Sequence, residues 1–236
     1  MPVFATRTAR ILALAAACVA AVPALAQEEG SRRLAPGFTA RAADSRLVIL
    51  PADMELFSMS AGGVIEPRAD WTEAAQKNFA EALLRQDKRL GRQVTRMTPA
   101  QAEEFGEITT LHRAVAEAIS THHRDLQLPS KGRKLDWSLG DAVRPLQQRT
   151  GADYALFTWM RDSYASGERK VAMLALAALG AISLGGEQNG YASLVDLHTG
   201  RVVWFNKLSR MFGDLREPEP ATETVEVLLE GFPGLQ

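Results

Sequence analysis

Two runs decide the fold: Tyr191-Ala192-Ser193-Leu194-Val195-Asp196-Leu197 and Arg201-Val202-Val203-Trp204-Phe205-Asn206-Lys207-Leu208, joined by His198-Thr199-Gly200. Both alternate, so each presents one face to a core as a strand does. A short connection with Gly in the left-handed position is a common hairpin link. The pair is therefore read as an antiparallel hairpin.

Working outward, Asp153 to Tyr164 reads as a long strand carrying Tyr154, Phe157, Trp159 and Tyr164. Leu47-Val48-Ile49-Leu50 is a continuous apolar run ending at Pro51, the pattern of a strand buried on both faces. Met54 to Ser60 extends it or forms a neighbouring edge piece, and Gln93 to Met97 makes a shorter strand. Helices fill the intervals. Asp70 with Glu73 reads as a capping box, followed by the stripe Trp71, Ala75, Phe79, Ala82, Leu83 and Leu90. Thr98-Pro99 with Gln101 opens a second helix, with Phe105, Ile108, Val115 and Ile119 on one face. Ser138 to about Arg149 reads as a third helix, bent by Pro145, and Glu217 to Glu230 as a last one. Early strand–helix alternation demands crossovers and parallel pairing, whereas the late hairpin demands antiparallel pairing. One mixed, twisted sheet of about five strands, covered by helices and ending in a hairpin and helix, satisfies both. This α/β domain is assigned to residues 45–232, with an insertion over 167–189.

Composition narrows the class. The chain has 236 residues, 46% hydrophobic and 23% charged, which excludes wholesale disorder. A net charge of −1 argues against a generally basic nucleic-acid binder. One Cys excludes an intramolecular disulfide framework. Residues 1–26 read as a signal peptide: Arg7 and Arg10, an apolar run from Ile11 to Val22, then Ala24-Leu25-Ala26 as a small-x-small cleavage site. Lipidation at Cys18 is the weaker rival, because apolar residues continue past it. A periplasmic location follows. Residues 27–44, with Gly30, Pro36 and Gly37, read as a flexible leader.

Two stretches carry a resemblance. They are Gly151-Ala152-Asp153-Tyr154-Ala155-Leu156-Phe157, a helix end running into a strand, and the hairpin from Ala192 to Trp204. Together with the element order they resemble the α/β module of bacterial envelope proteins such as the TolB amino-terminal domain and the curli secretion lipoprotein. The resemblance implies a scaffolding or assembly role with protein partners. It transfers no catalytic residue.

No reactive constellation stands out. His122 and His123 are adjacent, so on a helix they point about 100° apart and suit one metal ion poorly. Ser58, Ser60, Ser163 and Ser193 lie outside any Gly-x-Ser-x-Gly, and no His pairs evidently with them. Phosphate-binding glycine motifs are missing. Lys131, Arg133 and Lys134 read as a solvated basic loop. No cofactor and no metal are expected.

The most informative oddity is Val171 to Leu184, which is apolar all round. Fourteen helical residues span about 21 Å, short of a roughly 30 Å bilayer core. The segment either covers the sheet or docks on a partner. The docking reading names Met173, Leu174, Leu176, Leu179 and Ile182 as contacts. The expected function is non-catalytic: interaction or scaffolding through an envelope protein or self-association, with at most weak membrane contact. The alternatives are a hydrolase with a dispersed site, or a periplasmic carrier of an apolar ligand with the insertion as lid.

Overall fold

The computed structural model describes residues 32–123, 126–178 and 186–236. Seven strands form one mixed sheet: β1 (Leu47–Ile49), β2 (Asp53–Met59), β3 (Ile65–Pro67), β4 (Val94–Arg96), β5 (Tyr154–Ala165), β6 (Gly186–Asp196) and β7 (Val202–Arg210). The helices are α1 (Ala69–Leu84), α2 (Asp87–Leu90), α3 (Pro99–Ala102), α4 (Gly106–His122), α5 (Arg144–Thr150), α6 (Gly167–Ala178) and α7 (Pro218–Leu228).

β5 is the axis. One edge pairs antiparallel with β6 over its length, from Tyr154↔Asp196 to Tyr164↔Gly186. The other edge holds β1 against Tyr154–Leu156 and then β2 against Trp159–Ala165, both parallel. β1 and β2 are thus two pieces of one line, parted at Pro51, which has no N–H to give a ladder. β4 flanks β1 in parallel, β3 flanks β2 in antiparallel, and β7 closes the far side against β6. Seven strands rather than about five result because Pro51 divides the first line and β3 was not legible as a strand.

Both faces are covered. Leu47, Ile49, Leu56, Leu156, Met160 and Leu194 pack with α1 and α7 on one side. Val48, Leu50, Ala155, Phe157, Val195 and Phe205 pack with α4, α5 and the 3₁₀ turn Gly140–Val143 on the other. The expected stripe on α1 faces its core, with Ala75, Phe79, Ala82 and Leu83 buried. Trp204 is fully buried and meets Phe232 edge-on at 5.2 Å.

Local details differ from the sequence reading. Thr98 and Gln101 form the expected capping box. Asp70 does not: α1 begins after Arg68, and the Asp70 carboxylate pairs with the Arg68 guanidinium at 2.7 Å instead. The third helix is a 3₁₀ turn followed by α5, with Pro145 in the first turn, where a missing N–H costs no helical bond. β6 starts at Gly186, five residues earlier than Tyr191, so part of the supposed insertion is strand.

Residues 32–44 are packed, where the sequence suggests a flexible leader. Ala35 N–H donates to Val203 O and Phe205 N–H to Arg33 O, both at 2.9 Å, covering part of the outer edge of β7. Arg41 is buried without a carboxylate: its guanidinium donates to Pro233 O and Arg89 O and lies 4.8 Å over the Phe232 ring. Arg41 also pairs its backbone with Gly234 and Gln236.

The hairpin turn is tightly held. Asp196 Oδ1 accepts from the N–H groups of His198 and Thr199 at 2.8 and 3.1 Å. Gly200 has φ +71°, and a Cβ there would lie 2.1 Å from Gly140 O. Gly200→Ala is expected to lose at least about 2 kcal/mol by chemical denaturation, because steric overlap adds to the left-handed cost of about 1–2 kcal/mol. Gly132→Ala, with positive φ but nothing within 4 Å, is expected to show only the smaller loss. Equal losses would mean that the approach to Gly140 is no constraint.

Candidate interaction surface

Seven large apolar side chains among the described residues are more than half exposed: Val64, Ile65, Leu126, Val171, Leu174, Met211 and Phe212. All but Leu126 arise at one end of the sheet. Met59 pairs with Ala165, Tyr164 with Gly186, and Gln188 with Arg210, so the ends of β2, β5 and β7 and the start of β6 lie side by side. From them emerge the turn before β3, helix α6 and the loop after β7. The helix is tied to the turn, since Ser166 N–H donates to Met59 O and Arg169 Nη1 to Ser60 O. Scattered single apolar residues are ordinary, whereas concentration at one end is not.

A buried polar row supports this end. Asp162, Gln188 and Arg210 stand opposite one another across β5, β6 and β7. Gln188 Nε2 donates to Asp162 Oδ2 at 2.6 Å, and Arg210 Nε donates to Gln188 Oε1 at 2.8 Å. Arg210 then reaches α7, at Thr224 Oγ1 and Glu223 Oε1. The Tyr164 hydroxyl donates to Asp162 and accepts from Leu215 N–H at 2.7 Å, which anchors the chain after β7. Arg216 lies 4.1 Å over the Tyr164 ring and 4.3 Å over Trp71, and pairs with Asp214. Arg210 itself sits 5.0 Å over Phe212. Gly213, at φ +113°, lets the loop lie on the row, since a Cβ there would come 2.9 Å from Arg210 Nη2. Met211 and Phe212 are therefore held outward by an ordered loop. They border a cavity of about 190 Å³ floored by Asp162, Tyr164 and Gln188.

The row is electrostatically unusual. Burial pushes the Asp162 carboxyl up to about 7, against the opposing hydrogen bonds from Tyr164 and Gln188. Burial also raises the Tyr164 hydroxyl, helped by the Asp162 charge. Burial would raise Asp214 as well, but the Arg216 guanidinium outweighs it and holds Asp214 below the usual carboxylate range.

Of the residues singled out from sequence, Leu174 is exposed and Met173 half-buried on α6. Leu176 lies in the same helix, and Leu179 and Ile182 fall outside the described residues. Met211, Phe212, Val64 and Ile65 were missed. Their signal was paired apolar residues beside turn glycines, Met211-Phe212 before Gly213 and Val64-Ile65 after Gly62-Gly63.

The structure also makes a Ser–His pair that the sequence did not disclose. His112 Nε2 lies 2.5 Å from Ser193 Oγ, with its ring stacked on Phe157 at 4.0 Å. Both residues are buried, and burial pushes the imidazole down to about 3, leaving it neutral and weakly basic. The space beside His112 is about 30 Å³, on the order of one water. His122 and His123 bond the carbonyls of Leu126 and Arg32, and His198 bonds Asp153 Oδ1 at 3.0 Å. No cluster of three potential metal ligands occurs among the described residues. Nor is any described helix long and apolar enough to cross a membrane.

No protein-family model and no curated protein matches the sequence. Among solved structures, the PelC dodecamer from Paraburkholderia phytofirmans aligns at TM-score 0.41 and 15% identity, over 84% of this chain and 93% of that one. Lipoprotein GNA1162 from Neisseria meningitidis aligns at TM-score 0.29 and 14% identity, over 70% and 79%. The LpoB C-terminal domain from Escherichia coli aligns at 0.28 and 14%, over 78% and 93%.

A buried carboxyl with a raised pKa binds its proton more tightly in the folded than in the unfolded state. Asp162 should therefore lower stability as pH rises from about 4 to 7, by up to about 4 kcal/mol. His112, kept neutral by burial, makes stability rise over the same range in both chains. Asp162 is therefore read as a difference: in urea denaturation the native chain should lose stability relative to Asp162→Asn as pH rises. Parallel pH profiles would place the Asp162 carboxyl outside the titration.

Proposed function

We propose that this protein is exported and acts without catalysis, by binding a protein partner through the apolar sheet end. The export part rests on the signal-like residues 1–26. The binding part rests on one observation: six of the seven most exposed large apolar side chains converge there on an ordered support. An apolar centre with charged groups around it suits a protein interface. Met173, Leu174, Leu176, Leu179 and Ile182 of the α6 region are the proposed contacts, joined by Met211 and Phe212. The partner is an envelope protein or a second copy of this chain. The resemblance to envelope modules agrees with such a role, and no cofactor is invoked.

A photo-cross-linking residue placed at 174 or 212 should give one discrete adduct in cells, and placed at Leu84 on α1 none. Combining Leu174→Asp with Phe212→Asp should abolish that species, while the melting temperature stays within about 2 °C because both side chains are already in water. Adducts forming equally from position 84, or persisting in the double variant, would contradict the proposal. Unfolding of the double variant would make these residues core and contradict it too.

A further inference from the structure

A second cavity lies away from that surface, between α1 and α4. β4 receives the chain from α1 and α2 on one face of the sheet and sends it through α3 into α4 on the other. Where consecutive helices leave to opposite faces, a crevice opens outside the carboxyl ends of the strands, and ligands favour that place in open α/β sheets. Here it measures about 590 Å³, bounded by α1, the ends of β1 and β4, and α3–α4. That is within the range of small-molecule sites, roughly 300–1,000 Å³. No described residue of α6 borders it.

Its walls are mainly apolar, with Ile49, Pro51, Phe79, Leu83 and Met97 among the lining residues. The charged groups facing it are Arg96, Arg113, Asp53 and Glu103. Asp53 is already occupied, because its two oxygens accept from Arg113 and from Arg161. Arg161 also pairs with Glu55 at 3.7 Å, so Asp53 is shared between Arg113 and an arginine that has a second carboxylate. Arg113 uses a single amino nitrogen there, and Arg96 uses a single one on Asp87 at 3.0 Å. The remaining N–H donors of both forks are available to an anion, and a planar guanidinium suits carboxylate and phosphate oxygens alike.

We propose that this crevice binds a single-chain amphiphile, its alkyl chain between α1 and the strand ends and its anionic head between Arg96 and Arg113. The site is independent of the protein-binding surface, and either can fail without the other.

Binding can be measured on the purified full-length chain by calorimetry, with decanoate and decyl phosphate below their micellar concentrations. Decyltrimethylammonium and decanol, of the same chain length, serve as cationic and neutral matches. At least one anion should bind one-to-one, and the stronger of the two identifies the head as carboxylate or phosphate. Ala80→Trp, on the exposed rim of α1, should weaken it at least tenfold by filling the space. Should that variant fold poorly, Gly106→Leu serves instead, since a Cβ at Gly106 meets nothing within 4 Å and the residue is helical. Arg96→Gln with Arg113→Gln should reduce the anion to the affinity of decanol. The proposal is overturned if neither anion saturates, if filling the crevice leaves affinity unchanged, or if the cationic amphiphile binds as tightly as the anions.

Discussion

The structure depends on β5 being paired along both edges and covered on both faces. A strand so placed has no water for its backbone, so each N–H and C=O needs a partner in the sheet. Tyr154–Ala165 meets that demand with β6 on one side and the β1–β2 line on the other. The break at Pro51 is tolerable because β5 runs past it unbroken. The two helical layers are then set by which side chains alternate to each face. Met160, Asp162 and Tyr164 fall toward α1 and α7, and Phe157 and Trp159 toward α4.

One polar set stands in that otherwise apolar arrangement. Asp162 shares a face with Met160 and Tyr164, and it is one of few buried charged groups. Burying an ionised carboxylate is costly, and the protein raises its pKa as well as hydrogen-bonding it. The network carries this demand across three strands into α7 and the loop after β7. Stability and display are thereby coupled: the contacts that satisfy Asp162 are those that order the loop bearing Met211 and Phe212. The Ser193–His112 pair on the other face meets the same demand differently, by remaining neutral.

Much of the architecture was legible because it is written in local patterns. The hairpin from Tyr191 to Leu208, the doubly buried run Leu47–Leu50, the stripe on α1 and the Thr98 capping box follow from periodicity and capping chemistry. Asp70 went differently because Arg68, two residues away, offered its carboxylate a charged partner in place of a backbone N–H. Packing of residues 32–44 was hidden because its anchors are distant. Arg41 looks like a solvated charge until Phe232 and Pro233 come beside it.

The candidate surface was half legible. The apolar stretch beginning at Val171 marks itself by composition, since a run without a charged face needs something to cover it. The other contributors are short pairs beside turns that no periodicity flags. By itself, then, the sequence determined the layered α/β class, the hairpin and the apolar segment, because each is carried by neighbours along the chain. Only the tertiary structure decided that residues 64, 174 and 212 share one end, that Asp162 lies beneath them, and that a crevice opens beside β4. Those relations depend on strand register and on which face each helix takes, and both are settled by contacts between residues far apart in the chain.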